Sequence, residues 1–122
     1  MFDYKKARKN MVDNLIRPAN VTDPKLLSAL GDVQREKFLP SNLATLSYSE
    51  TDLLIQNDRT SVSPWLLAKM LQFLDLNSAD NVLSLAAGYG YSCALMSSLA
   101  NFVVAVETQD LAKEAQARLI QN

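Results

Sequence analysis

The stretch Asn81-Val-Leu-Ser-Leu-Ala-Ala-Gly-Tyr-Gly-Tyr-Ser92 decides the fold. It opens on a short apolar run, 81–86, bounded by polar residues, which reads as a strand. Gly88-Tyr89-Gly90 then supplies a tight turn, and residues 91–100 suit a helix. Phe102–Val106 (F-V-V-A-V) is a β-branched run, read as a second buried strand that ends at Glu107. Residues 110–121 return to helical spacing, with Leu111, Ala115 and Leu119 on one face. Strand, turn, helix, strand, helix is a βαβ unit with one further helix. Two apolar strands joined by a helical crossover are expected to be parallel neighbours in a sheet covered on both faces.

Working outward, Ser63-Pro64 is a cap-plus-proline start for a helix ending near Asp75, with Leu67, Met70, Leu71 and Leu74 as its apolar stripe. Residues 41–59 are rich in Ser, Asn, Thr and Asp and read as irregular, with a short extended piece at Leu53–Ile55. Asp23-Pro24 starts a helix expected to run to about Lys37, and Gly31 inside it implies a packing reason. Residues 2–16 read as an N-terminal helix. Tyr4, Ala7, Met11 and Leu15 lie on its apolar face, Lys5, Lys6, Arg8 and Lys9 on a solvated one, and Pro18 ends it. The expected organisation is an N-terminal helical region, 1–58, followed by the first part of a cofactor-binding α/β domain, 59–122. Two strands alone do not make a stable parallel sheet. The expectation is therefore that the chain is part of a longer protein, or that other chains complete the sheet. An unpaired edge beyond 102–106 would invite pairing with a second copy, giving a homodimer.

Composition narrows the chemistry. The 122 residues carry 12 Lys+Arg against 13 Asp+Glu, a net charge of −1, which removes the basic excess expected of a nucleic-acid binder. There is no His, which excludes Ser-His-Asp and Cys-His constellations within this chain and leaves no metal site expected. The single Cys93 sits among small helical residues and reads as packing, so no intrachain disulfide forms, and a reducing, cytoplasmic compartment fits. No apolar run approaches the roughly 20 residues a membrane span needs, and no partner membrane is expected.

Three features converge on one site. Gly88 and Gly90 stand between a strand and a helix, where a backbone turns tightly and a ligand can approach. Glu107 closes the next strand, where an acid can accept both hydroxyls of a ribose. Thr60–Pro64 (T-S-V-S-P) precedes the leading helix and can cover the site. Tyr89 and Tyr91 read equally as core or as pocket lining.

Together with Val21-Thr-Asp-Pro24 and Arg35-Glu-Lys-Phe-Leu-Pro40, these motifs resemble the N-terminal half of the protein-L-isoaspartate O-methyltransferase family, over most of residues 10–120. The resemblance implies a class I, Rossmann-like α/β methyltransferase fold, incomplete in this chain. It implies S-adenosyl-L-methionine as cofactor, S-adenosyl-L-homocysteine as product, and isoaspartyl proteins or peptides as substrate. It places Leu85, Ala86, Ala87, Gly88, Gly90 and Glu107 at the cofactor, and Thr60 and Ser63 at the methyl-transfer site. Ala86 stands at the motif's first Gly, Ser84 at its leading acid, and Val62 where the family has an active-site Ser. These departures leave two alternatives. One is a divergent paralogue acting as a cofactor-binding or assembly module; the other is an enzyme with a different acceptor.

Overall fold

The computed structural model describes residues 1–56 and 58–121, apart from the side chain of Gln121. Five α-helices appear among them: α1 (Tyr4–Met11), α2 (Pro24–Asp32), α3 (Pro64–Leu74), α4 (Tyr91–Ser97) and α5 (Gln109–Gln121). Four strands pair as two small sheets. β1 (Leu53–Leu54) and β2 (Thr60–Ser61) are antiparallel. β3 (Asn81–Leu85) and β4 (Phe102–Val106) are parallel, in register from Asn81↔Phe102 to Leu85↔Val106. The β3–α4–β4–α5 order is the expected βαβα unit of a partial Rossmann-like α/β fold.

Local chemistry sets several boundaries. The Asp23 side chain accepts from Lys25 N, and Pro24 takes the first helical position of α2, as expected. That helix stops at Asp32 rather than Lys37, because Val33 turns extended and Arg35–Phe38 forms a separate 3-10 turn. Gly31 has no packing reason: a Cβ there would meet nothing within 4 Å. α1 continues through a π-helical turn, Val12–Ile16, and a 3-10 turn, Arg17–Ala19, before Asn20 reverses the chain with a φ of 66°. Ser63 caps α3 by position only. Its side chain makes no capping bond, and its amide donates to Asp52 Oδ1 at 2.7 Å.

One core joins the two halves of the chain. Ile16, Leu26, Leu30, Phe38, Ala68, Leu71, Leu95 and Leu99 are buried together, with Val82 and Val103 packed against them from β3 and β4. Cys93 is buried, as expected. Half of the expected α3 stripe faces inward: Leu71 is buried and Leu67 packs on the core, beside the buried Pro64 and Ala68, whereas Met70 and Leu74 are exposed. Arg8 is another correction. It leaves the solvated face and is buried, donating from Nε to Gly31 O at 2.8 Å and from Nη1 to Tyr48 Oη at 3.0 Å. The parallel sheet is covered on one face only. Leu83 and Leu85 of β3, with Phe102, Val104 and Val106 of β4, remain exposed on the other. No described helix is long and apolar enough to cross a membrane.

Candidate functional site

At the C-terminal ends of β3 and β4 the backbone takes three left-handed residues in close succession. Ala86, Gly88 and Gly90 have φ of 56°, 61° and 99°. The reversal brings the Gly88 amide to Glu107 Oε2 at 2.9 Å, across the end of β4. The two glycines do different work. A Cβ at Gly88 would make only ordinary contact with Ile55 Cδ1, at 3.4 Å. A Cβ at Gly90 would press on Leu119 of α5 at 3.1 and 3.2 Å, so Gly90 is required by helix packing as well as by its φ.

Glu107 is saturated with donors. Its side chain is only 2% exposed. Arg59 donates from Nη2 to Oε1 at 2.8 Å and from Nε to Oε2 at 3.2 Å. Thr108 N adds a bond to Oε1 at 2.8 Å, and Gly88 N completes four. The Arg59 bonds above all, then the two amides, hold the carboxyl at about 2, far below the ordinary carboxylate range. Four donors fill the lone-pair sites of a carboxylate. A ribose diol can therefore be accepted here only as Arg59 lets go.

The β1–β2 hairpin carries Arg59 and lies over the glycine turn. Its tip closes through Ile55 N to Arg59 O and Arg59 N to Gln56 O, at 2.9 and 2.8 Å. Tyr89 Oη donates to Gln56 Oε1 at 2.7 Å, tying the turn to the hairpin. Arg118 of α5 stacks on the other side of this region, its guanidinium 4.0 Å from the Tyr89 ring centroid.

Between hairpin and glycine turn lies a cavity of about 130 Å³. Its walls include Ala86, Ala87, Gly88 and Gly90 from the turn, and Thr60, Ser61 and Val62 from β2 and the segment after it. Tyr89 and Tyr91 are both buried and both line it, so the two readings of these residues hold together. Of the site residues expected from sequence, Leu85 lies outside this wall, 70% exposed on the open sheet face. Ser63 is buried but is not part of the wall, whereas Ser61 is. A roomier depression of about 550 Å³ beside α1 and the end of α2, lined by Lys5, Lys9, Asp13 and Asp32, carries none of the motif residues.

Arg59 and Arg35 are the functional candidates that sequence reading passed over. Arg35 enters the cavity wall from the 3-10 turn and is 1% exposed. Its Nη2 donates to Ser61 Oγ at 3.1 Å and to Val62 O at 3.0 Å, and its guanidinium lies 4.7 Å from the Tyr91 ring centroid. Burial pulls its pKa below the ordinary guanidinium value, and burial raises the Tyr91 hydroxyl to about 12. The available signal was an arginine within the quoted R-E-K-F-L-P motif and another directly before Thr60.

The family model of protein-L-isoaspartate(D-aspartate) O-methyltransferase (PCMT) matches residues 5–122. A protein-L-isoaspartate O-methyltransferase of Herpetosiphon aurantiacus is 35% identical over 117 residues, 95% of this chain and 52% of the relative. One from Rhodopseudomonas palustris is 37% identical over 110 residues, 89% of this chain and 50% of the relative. The chain thus spans about half the length of the curated relatives it matches. Among solved structures, a protein-L-isoaspartate O-methyltransferase superposes with a TM-score of 0.79 at 24% identity, covering 93% of this chain and 38% of that one. A Plasmodium falciparum structure, described as a protein of the same kind in complex with S-adenosyl-L-homocysteine, gives 0.77 at 17% identity, covering 99% and 56%. These two likenesses concern the fold.

Proposed function

Because the chain belongs to the protein-L-isoaspartate(D-aspartate) O-methyltransferase family, we propose that it takes part in S-adenosyl-L-methionine-dependent methylation of isoaspartyl carboxylates, a protein-repair reaction. The observation that carries this reading is Glu107, poised at the end of β4 and bonded to the Gly88 amide across the turn. Open α/β sheets bind ligands at this end of their strands. In this reading residues 59–122 belong to the cofactor-binding domain and residues 1–58 to a helical region beside it. Glu107 would take the ribose, and the 86–90 turn, with Ala86, Ala87 and Gly88, would hold the amino-acid part of the cofactor. When bound, the cofactor supplies a sulfonium methyl that an acceptor oxygen takes as its bond to sulfur breaks. Alignment of the reacting atoms, rather than proton transfer, is then the protein's main contribution. Thr60 and Ser61, at the cavity wall, are closer to that task than the buried Ser63. The compartment that suits one free, buried cysteine is the cytoplasm.

Titration calorimetry of S-adenosyl-L-homocysteine into the chain tests the cofactor half of the reading. A dissociation constant tighter than about 100 μM, near −5.5 kcal/mol, is expected. Transfer of labelled methyl to an isoaspartyl peptide, and not to its aspartyl isomer, tests the substrate half. Val62 favours a second reading, because no hydrogen-bonding side chain stands at that wall position. In it, the chain binds the cofactor and methylates no isoaspartyl group; Val62→Ser would then create the activity.

A further inference from the structure

Arg35 presents a problem that its neighbours do not solve. A guanidinium stays charged, so burial has to be answered by an anion or by full hydrogen bonding. Nη2 is satisfied by Ser61 Oγ and Val62 O. Nε and Nη1 make no hydrogen bond of good geometry, and neither does the equally buried hydroxyl of Tyr91, although this hydroxyl and the guanidinium lie close enough to favour each other. Among the described residues no carboxylate forms an ion pair with Arg35. Asp52, whose charge reaches it, spends Oδ1 on the Ser63 amide. Glu36, one residue along, is taken by Arg8 and by Tyr48. The other arginine of the cavity, Arg59, is neutralised by Glu107. The cavity wall therefore holds a positive charge that Asp52 answers only from beyond contact distance, and donors without well-formed bonds, beside the T-S-V-S-P segment. The cavity's volume of about 130 Å³ is many times the roughly 10–15 Å³ that a single water needs on the same measure. That is room for a carboxylate and its adjoining carbon.

The geometry points to Arg35 as the carboxylate-receiving residue of this cavity, its free N–H donors and the Tyr91 hydroxyl holding a ligand carboxylate beside Ser61 and Val62. This rests on the methyltransferase reading and deepens it. Two carboxylates belong to that reaction, the acceptor's and the one on the cofactor's amino-acid end. If the acceptor's is the one held, one oxygen bound to Arg35 leaves the other free to take the methyl, so Arg35 positions the nucleophile and is not itself consumed.

The test follows the Arg35 Nε–H resonance of the chain by NMR, assigned by its loss in Arg35→Lys. Three probes are titrated: an isoaspartyl peptide, S-adenosyl-L-homocysteine, and 5′-methylthioadenosine, a nucleoside thioether without the amino-acid carboxylate. Calorimetry is run in parallel on wild type, Arg35→Met and Tyr91→Phe. A saturable shift with the peptide, with peptide affinity at least ten-fold weaker in Arg35→Met and S-adenosyl-L-homocysteine affinity unchanged, assigns the acceptor carboxylate. A shift with S-adenosyl-L-homocysteine but not with 5′-methylthioadenosine, with the loss on the cofactor side, assigns the cofactor carboxylate. Binding of S-adenosyl-L-homocysteine with the resonance unmoved by either carboxylate ligand overturns the carboxylate site and leaves the methyltransferase reading standing. No binding of any probe, with no shift, overturns both. Arg35→Met removes a buried, half-satisfied charge at similar volume, so its melting temperature is expected to equal or exceed wild type. If Arg35→Met fails to fold, the wild-type resonance and Tyr91→Phe still decide. A purely structural arginine would shift with no ligand.

Discussion

Ala86 offers the sharpest test of the site's backbone. It adopts a φ of 56° where the sequence motif expects a first glycine. A side chain in the left-handed region costs about 1–2 kcal/mol, which Ala86→Gly would release. The new glycine loses more freedom on folding, about 0.4–1 kcal/mol. Ala86 is exposed, so little packing is lost with its methyl. The balance is a stabilisation of about 0.7 kcal/mol, or roughly 2–4 °C in melting temperature for a domain of this size. The reverse changes should order themselves by contact. Gly88→Ala meets only Ile55 at 3.4 Å, so it should cost about 1 kcal/mol of backbone strain. Gly90→Ala adds a clash with Leu119 at 3.1 Å and should cost about 2 kcal/mol or more. Thermal unfolding followed by circular dichroism at one fixed pH gives the whole series. A fall in melting temperature for Ala86→Gly, or a Gly90→Ala no worse than Gly88→Ala, would refute this account of the turn.

Other substitutions probe the pair beneath the turn and the core behind it. Arg59→Gln frees Glu107 from its strongest donor, so S-adenosyl-L-homocysteine should bind a few-fold more tightly; weaker binding in calorimetry would mean that Arg59 holds the ligand instead. Glu107, held at about 2 in the fold against an ordinary 4.5, contributes stability above about pH 4.5 that is lost as pH falls toward 2. The urea midpoints of wild type and Glu107→Gln should accordingly draw together as pH falls from 5 toward 2, and a constant gap would count against the pairing. Leu95, fully buried on α4 at the centre of the core, should cost about 2–5 kcal/mol when changed to Ala, read as a drop in urea midpoint without change in slope.

What the sequence made legible was whatever depends on neighbours along the chain. The apolar runs at 81–86 and 102–106 announced β3 and β4, and Leu111 with Ala115 announced the buried side of α5, because period and composition act locally. Asp23-Pro24 marked the start of α2 for the same reason. The end of α2 was not legible, since Val33 and Arg35–Phe38 depart from the helix to reach partners far along the chain. One such partner is Tyr48, which receives the Arg35 amide at 3.1 Å. Arg8 looked like the other cations of α1 until the fold offered it a carbonyl 23 residues away and a tyrosine 40 residues away. The site divides in the same manner. Gly88, Gly90 and Glu107 carry a spacing that can be read. Arg59 and Arg35 act through Glu107, 48 residues on, and Ser61, 26 residues on, and no periodicity encodes such pairs.

The open face of the parallel sheet carries its own consequence. β3 and β4 are apolar on both faces, a pattern of sheets buried on both sides. Here Val82 and Val103 pack on the core, while Leu83, Leu85, Phe102, Val104 and Val106 face outward and exposed. Phe73 and Leu74 of α3 are exposed as well, Phe73 at 91%. Each strand has a single hydrogen-bonding neighbour, so both present an unpaired edge. An exposed apolar sheet face beside unpaired strand groups seeks a partner, and for this chain in isolation the partner at hand is a second copy. We therefore expect the 122-residue chain to scatter light as a dimer or larger at micromolar concentration. Val104→Lys should shift it toward monomer without a large loss of stability, because Val104 points away from the core. A monodisperse wild-type monomer across a hundred-fold range of concentration would show that this face tolerates water, and the homodimer would be abandoned.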